Sequence, residues 1–184
     1  MYEVLNTDVL IRAKRGDSSV ISALYERYHK DVFRYLYYRV SDQQAAEDLT
    51  SEVFLRMIHA LEGYRSQNTS FQAWLFQIAR NLAIDYYRKM NYRNHLSLEE
   101  NLISGKDDPD TAVDHQLDNQ RLRLALTQIN DVQRDVIVMR FVAGMPIAQV
   151  AQALHKSEDS IKAIQRRGLA ALRAILTDWE VSYD

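Results

Sequence analysis

Glu26 and His29 stand three residues apart, the spacing that puts two metal ligands on one face of a helix. A dinuclear carboxylate bundle needs two such Glu-x-x-His pairs and two further glutamates. The chain offers one pair, and its other histidines, His59, His95, His115 and His155, are scattered singly. It carries neither a Ser-His-Asp ordering nor a Gly-rich phosphate loop. These residues predict no enzyme, no metal and no cofactor. What remains is the chemistry of binding. Asp159, Ser160, Lys162, Ala163, Arg166, Arg167 and Arg173 fall on the outward side of one helical run. Long basic groups there can reach phosphates and guanine edges, and small ones admit the DNA backbone.

Two other clusters have binding character. Arg80, Asn81, Arg88 and Lys89 lie on one predicted helix, with Tyr86, Tyr87 and Tyr92 close by. Rings on which bases stack, beside cations that meet phosphates, make a single-strand platform. The plainer alternative is that the tyrosines are core rings with hydroxyls at the surface. Glu47, Asp48, Ser51 and Glu52 form an acidic stripe on another helix. Taken alone, that stripe reads equally well as a solvated face.

The basic face needs a scaffold, and residues 146–176 supply one. Val150, Ala151 and Leu154 give a first short helix its inward side. Ile161, Ile164, Gly168, Leu172 and Ile175 repeat every three or four residues along a second. His155, Lys156 and Ser157 lie between them. Ser157 is an N-cap by type, and Glu158 and Asp159 place carboxylates in the first turn, where the helix dipole favours them. Helix, tight turn and longer helix outline a helix-turn-helix, whose second helix enters the major groove. A plain helical hairpin with a solvated basic face is the competing reading.

Composition fits an all-helical chain. Among 184 residues there are 2 prolines and 5 glycines. Lys+Arg number 23 against 25 Asp+Glu, so a basic patch must be local. There is no cysteine, which excludes disulfides and cysteine-held zinc and fits a reducing cytoplasm. The opening residues lack the apolar core of a signal peptide. No run approaches the roughly 18 apolar residues of a membrane span, so the expectation is a cytoplasmic protein without direct membrane insertion.

In chain order, a short helix is expected from Thr7, with Val9, Leu10 and Ala13 inward, broken at Gly16 and Asp17. Ser18 or Ser19 caps a second helix reaching about Val40, with Leu24, Tyr28, Val32 and Leu36 as a buried stripe. Ser41 and Gln44 make a capping box for a third helix, with Ala46, Leu49, Val53, Met57 and Leu61 inward and Gly63 at its end. Residues 64–70 read as a polar loop. Thr69 and Gln72 open a fourth helix to about Lys89, burying Phe71, Trp74, Leu75, Ile78 and Leu82 and exposing Arg80. Periodicity then fails until about residue 114. Arg93 and Lys106 there face Glu99, Glu100, Asp107, Asp108, Asp110 and Asp114, the composition of a flexible acidic linker. Leu117, Leu122, Leu124 and Leu126 resume the pattern, and Asn130 and Gln133 cap the helix before the helix-turn-helix. The predicted division is 1–90, linker 91–114, and 115–184.

Together these pieces resemble a bacterial RNA polymerase sigma factor of the extracytoplasmic-function (ECF) type. The resemblance runs through AKRGD, ALYERYHKDVFRYLYYRV, AEDLTSEVFLRMIHAL, SFQAWLFQIARNLAIDYYRK and QRDVIVMRFVAGMPIAQVAQALHKSEDSIKAIQRRGLAALR, in the family's order. It implies a sigma-2-like bundle joined to a sigma-4-like helix-turn-helix domain. It also implies a subunit that directs initiation by reading −35 and −10 elements and trapping the melted non-template strand. The clamp helices of the polymerase largest subunit and its flap region become the expected docking sites, with promoter DNA and an anti-sigma factor as further partners. By position, Asp48, Ser51, Glu52 and Phe54 fall on the clamp-facing surface, which displaces the solvated-face reading. Arg65, Ser66, Gln67, Asn68, Thr69 and Ser70 fall on the loop that captures a flipped −10 base, where a shaped pocket must recover the cost of extrusion. Arg80, Asn81, Asp85, Arg88 and Lys89 fall on the helix that holds the melted strand. Ser160, Lys162, Ala163, Arg166 and Arg167 fall on the −35 reader.

Three positions depart from the family's pattern. His155 and Lys156 replace a glycine and an aliphatic residue at the turn, so His155 is expected to adopt a left-handed backbone and Lys156 to leave the corner open. Ile164 stands where the family often has arginine, which removes one expected phosphate contact. The rival reading is a two-domain helix-turn-helix regulator that is not a polymerase subunit.

Overall fold

The computed structural model describes residues 7–65, 69–96 and 113–181. Among these, every regular element is helical. Helix α1 (Thr7–Lys14) leads into α2 (Ser18–Val40), α3 (Gln43–Ala60) and α4 (Phe71–Leu96). Then follow α5 (Val113–Gln128), α6 (Asp131–Ile137), α7 (Ile147–Leu154) and α8 (Glu158–Val181). A 3₁₀ turn, Leu61–Gly63, extends α3, and a π-helical turn, Val138–Val142, extends α6.

Helix α2 buries Leu24, Tyr28, Val32 and Leu36, the expected stripe at intervals of four. It packs on α3 through Ala46, Val53 and Met57, and on α4 through Leu75, Phe76 and Ala79. Full burial of one such apolar side chain contributes about 1.5–3 kcal/mol, so this stripe dominates the first body. Gly16 sits at φ +79, a left-handed backbone that costs glycine nothing and ends α1.

Several caps differ from expectation. Asp17 caps α2, its carboxylate accepting from the backbone N–H and hydroxyl of Ser19. Ser41 is instead the left-handed C-cap of α2, at φ 59, and Asp42 caps α3 by accepting from Ala45 N. A residue in the left-handed region cannot also supply the extended N-cap backbone, so the cap moves one position on. Ser70 caps α4 rather than Thr69, its hydroxyl accepting from Ala73 N at 3.2 Å. Asn130 caps α6 as expected, accepting from Gln133 N at 2.9 Å.

Helix α4 runs to Leu96, past the expected end near Lys89. Residues 97–112 of the expected linker lie outside the described residues, and its last two, 113 and 114, already belong to α5.

In the second body, α6 and α7 pack on α8. The π-helical turn closes with Ala143 N donating to Val138 O at 3.0 Å. The extra residue in that turn keeps both Val138 and Met139 at zero exposure and turns Phe141 outward.

The two bodies pack against each other. Helix α4 lies along α7, and α2 along the π-helical turn. Their buried apolar residues form one contiguous cluster.

Candidate nucleic-acid interface

The recognition surface on α8 is built from its cap outward. The Ser157 hydroxyl accepts from Ser160 N at 3.2 Å and starts the helix. His155 takes the left-handed turn position at φ 52, ψ 47, and Lys156 is exposed, both as its sequence predicts. Ile161, at zero exposure, fills the angle between α7 and α8. Ile164 is also buried, so it serves packing and offers nothing to phosphate. Lys162, Arg166, Arg167 and Arg173 are exposed, while Ser160 and Ala163 are half-buried. Lys162 pairs with Asp159 at 3.1 Å; the arginines are the longer-reaching cations of the face.

On α3, Asp48 and Ser51 are exposed and Glu52 is partly exposed, with Arg56 paired to it at 2.8 Å. Phe54 is not on this surface. It is 5% exposed, and its ring meets Tyr25 edge-on at 4.8 Å. With 100° per residue, position 54 follows Thr50 and precedes Met57 on the inward face. Leu55 and Ile58, which the residue-by-residue reading passed over, are exposed instead, Leu55 at 54%. Their signal was available: apolar residues recurring on the same outward stripe as Asp48 and Ser51.

Of the loop residues, Ser66, Gln67 and Asn68 lie outside the described ones. Arg65 folds back, donating to Glu62 O at 2.9 Å and Tyr64 O at 3.2 Å. Thr69 O accepts from the Tyr64 hydroxyl at 2.8 Å, and Tyr64 packs with Phe71 and Trp74. Burial holds the Tyr64 phenol at about 12, so it remains a donor.

On α4, Asn81, Arg88 and Lys89 are exposed, and Asp85 pairs loosely with Arg88 at 3.4 Å. Arg80 is not exposed as expected. Its side chain is 29% accessible and donates to Asp135 of α6 at 2.8 Å. Asp135 has no exposure at all. Its carboxylate also accepts from the Tyr35 hydroxyl at 2.9 Å and Arg39 Nε at 3.0 Å. Burial and the adjacent Asp135 charge push the Tyr35 phenol well up, so it stays a donor here. Of the aromatic residues near the basic cluster, Tyr87 is held by donating to Arg39 O at 2.6 Å and lies under the Arg39 guanidinium. Tyr92 is 68% exposed.

A basic stripe on a helix-turn-helix and an acidic-apolar stripe on a separate helical body are therefore both present. The sigma-70 region 2 family model matches residues 24–93, and sigma-70 region 4 matches residues 125–174. The ECF RNA polymerase sigma factor SigX of Bacillus subtilis is 37% identical over 82% of this chain and 80% of its own length. The ECF RNA polymerase sigma factor BldN of Streptomyces coelicolor is 34% identical over 93% of this chain, which spans 66% of that longer protein. The chain belongs to the ECF group of the sigma-70 family. As a sigma factor, it directs transcription initiation, and its family consists of non-catalytic initiation factors. The rival reading as a regulator outside the polymerase is not favoured. Two solved structures share the fold. CnrH, solved with the cytosolic domain of CnrY, superimposes with TM-score 0.72 at 20% identity, covering 92% of this sigma factor and 96% of that chain. RpoE of Bartonella quintana, solved with the anti-sigma factor NepR, gives TM-score 0.66 at 18% identity, covering 85% and 96%. Among the described residues, no helix is long and apolar enough to cross a membrane.

Proposed function

We propose that this sigma factor divides its work between three surfaces and performs no chemistry of its own. Asp48, Ser51 and Glu52, with exposed Leu55, dock on the clamp helices of core polymerase. The loop at residues 65–70 takes the flipped base of the −10 element. Asn81, Asp85, Arg88 and Lys89, joined by Arg80, hold the melted strand. Ser160, Lys162, Ala163, Arg166 and Arg167 read the −35 duplex, with the flap region supporting the same domain. The functional units keep the division 1–90, 91–114 and 115–184 as an assignment of roles, although α4 runs on to Leu96 and α5 begins at Val113. The protein works in the cytoplasm, where core polymerase and promoter DNA are.

The observation that carries this reading is the exposure of Arg166 and Arg167 on a helix whose other side is sealed by Ile161, Ile164 and Leu172. That geometry supports the reading by leaving the basic side open to an outside partner. Run-off transcription with purified core polymerase tests it. Adding this protein should produce initiation at defined promoter starts. A protein that binds promoter DNA without polymerase and leaves start selection unchanged is a regulator instead.

We also propose an anti-sigma partner. CnrH and RpoE are each solved with a partner protein. Here Leu55, Ile58 and Phe141 remain exposed on the two bodies, which supports a covering partner. A tagged pull-down from uninduced cells should recover a stoichiometric small protein that core polymerase displaces. Recovery with polymerase alone, in cells where the protein is active whenever expressed, places control in its synthesis.

A further inference from the structure

Among the described residues, Asp135 is the one buried carboxylate. It belongs to α6, in the second body. All three of its side-chain donors belong to the first: Tyr35 and Arg39 on α2, and Arg80 on α4. Oδ1 serves Tyr35 and Arg39, and Oδ2 serves Arg80. Gln152 of α7 adds a second tie, its side chain accepting from Ser70 N at 3.0 Å and its carbonyl from the Gln77 amide at 3.1 Å. One end of the −10 loop and one strand-binding arginine are thus both held by the helix-turn-helix body.

A carboxylate and a phosphate compete for the same guanidinium, since both are anions whose oxygens accept its N–H groups. We propose that Asp135 is an intramolecular latch: it stands in for strand phosphate at Arg80 and holds the two bodies closed over the −10 surface. This rests on the reading of Arg80 as a strand-binding residue. Packing of the two bodies and capture of the strand by Arg80 are then mutually exclusive.

The latch is built to open. Desolvation of buried ions offsets much of their attraction, so an ion cluster of this kind holds geometry more than it adds stability. Arg39 is 1% exposed, and its Nη1 is buried without a hydrogen-bond partner. Its Nη2 reaches Asp131 at 3.3 Å, and Asp131 is 69% exposed, so water has access to one end of the cluster. Separation rehydrates Arg39, Arg80 and Asp135 together and satisfies the orphaned Nη1. A partner that binds only the open form then has mainly the apolar contact between the bodies to offset.

The chain has no cysteine, so labels can be placed cleanly. Glu26→Cys on α2 and Thr177→Cys on α8, both exposed, take a donor–acceptor pair in the full chain. The otherwise native protein should give one narrow distance population. Asp135→Asn keeps the shape but leaves Arg39 and Arg80 without their shared carboxylate. It should add a longer-distance population and tighten binding of fluorescein-labelled oligothymidylate at least threefold. Identical distances with and without Asp135→Asn overturn the latch. Opening without tighter binding overturns the masking of Arg80. Adding Arg80→Ala to Asp135→Asn then separates the causes: weaker binding leaves Arg80 as a strand residue and sinks only the proposal made here, whereas unchanged binding sinks the reading of Arg80 itself. If circular dichroism shows that Asp135→Asn loses helix, Asp135→Ser, which also removes the carboxylate from Arg39 and Arg80, carries the same two measurements with the same outcomes.

Discussion

A Cβ placed on Gly168 of α8 would lie 2.7 Å from Ile137 Cδ1 of α6 and 3.2 Å from Gln133 Cβ. The two helices meet there closely enough that only glycine fits without a shift. This contact sets the angle at which α8 presents Arg166 and Arg167.

Gly168→Val is therefore expected to destabilise the protein by about 1–3 kcal/mol through overpacking. Gly168→Ala regains about 0.5–1 kcal/mol of helix propensity, so its net cost is smaller. Thermal melts followed by circular dichroism should rank native, Ala and Val in that order. A valine variant as stable as the native protein would contradict the packing.

On α3, binding and folding separate by position. Asp48→Lys with Glu52→Lys should weaken core polymerase binding at least tenfold, about 1.4 kcal/mol. Folding should hardly change, because the Glu52–Arg56 pair is exposed and such pairs contribute only about 0–1 kcal/mol. Phe54→Ala should do the reverse and cost about 3–5 kcal/mol of stability, as a buried aromatic truncation does. Polymerase pull-downs at moderate salt, run beside melts, distinguish the two classes. Unchanged affinity in the double charge reversal would remove the clamp assignment.

Arg166→Ala should weaken binding to a −35 duplex by about 1–3 kcal/mol, the worth of a good bidentate base contact. Lys162→Ala should cost less, since Lys162 is already shared with Asp159 at 3.1 Å. Fluorescence anisotropy with matched and mismatched duplexes reads both. A change confined to −10 preference would assign α8 to the wrong element.

The Asp17 cap makes stability pH-dependent at the acidic end. Hydrogen bonds from the Ser19 side chain and then Arg12 lower its pKa from 3.8 to about 2. A depressed carboxylate stabilises the fold above its unfolded value, and that contribution is lost as pH falls from about 4 through 2. Asp17→Asn keeps a cap but removes the charge. Its melting temperature should lie below the native one at pH 6, and the gap should close by pH 2. A gap that is constant with pH would rule out the ionised form as the cause.

Much of this architecture could be read from residue order, because helical periodicity and caps are local properties. Leu24, Tyr28, Val32 and Leu36 declare a buried stripe by their interval, and Ser157 with Ile161, Gly168 and Leu172 declares the recognition helix. The exposure of Arg166 follows from the burial of its neighbours one helical face away. Where two short-range options compete, the outcome needed the whole fold. Ser41 could have capped α3, but its left-handed role at the end of α2 gave the cap to Asp42. Phe54 lies beside the acidic stripe in sequence; the helical period of α3 already turns it inward, and the packing of α2 decides that Tyr25 is the ring it meets. The widest gap concerns charge. Arg80 and Asp135 are 55 residues apart and belong to different bodies. Nothing local marks Asp135 as buried, because its solvation depends on which helices close around it. Sequence alone determined which faces are apolar, basic or acidic. Only tertiary packing decided which charges meet, since burial and pairing of ions depend on distances that the chain order does not contain.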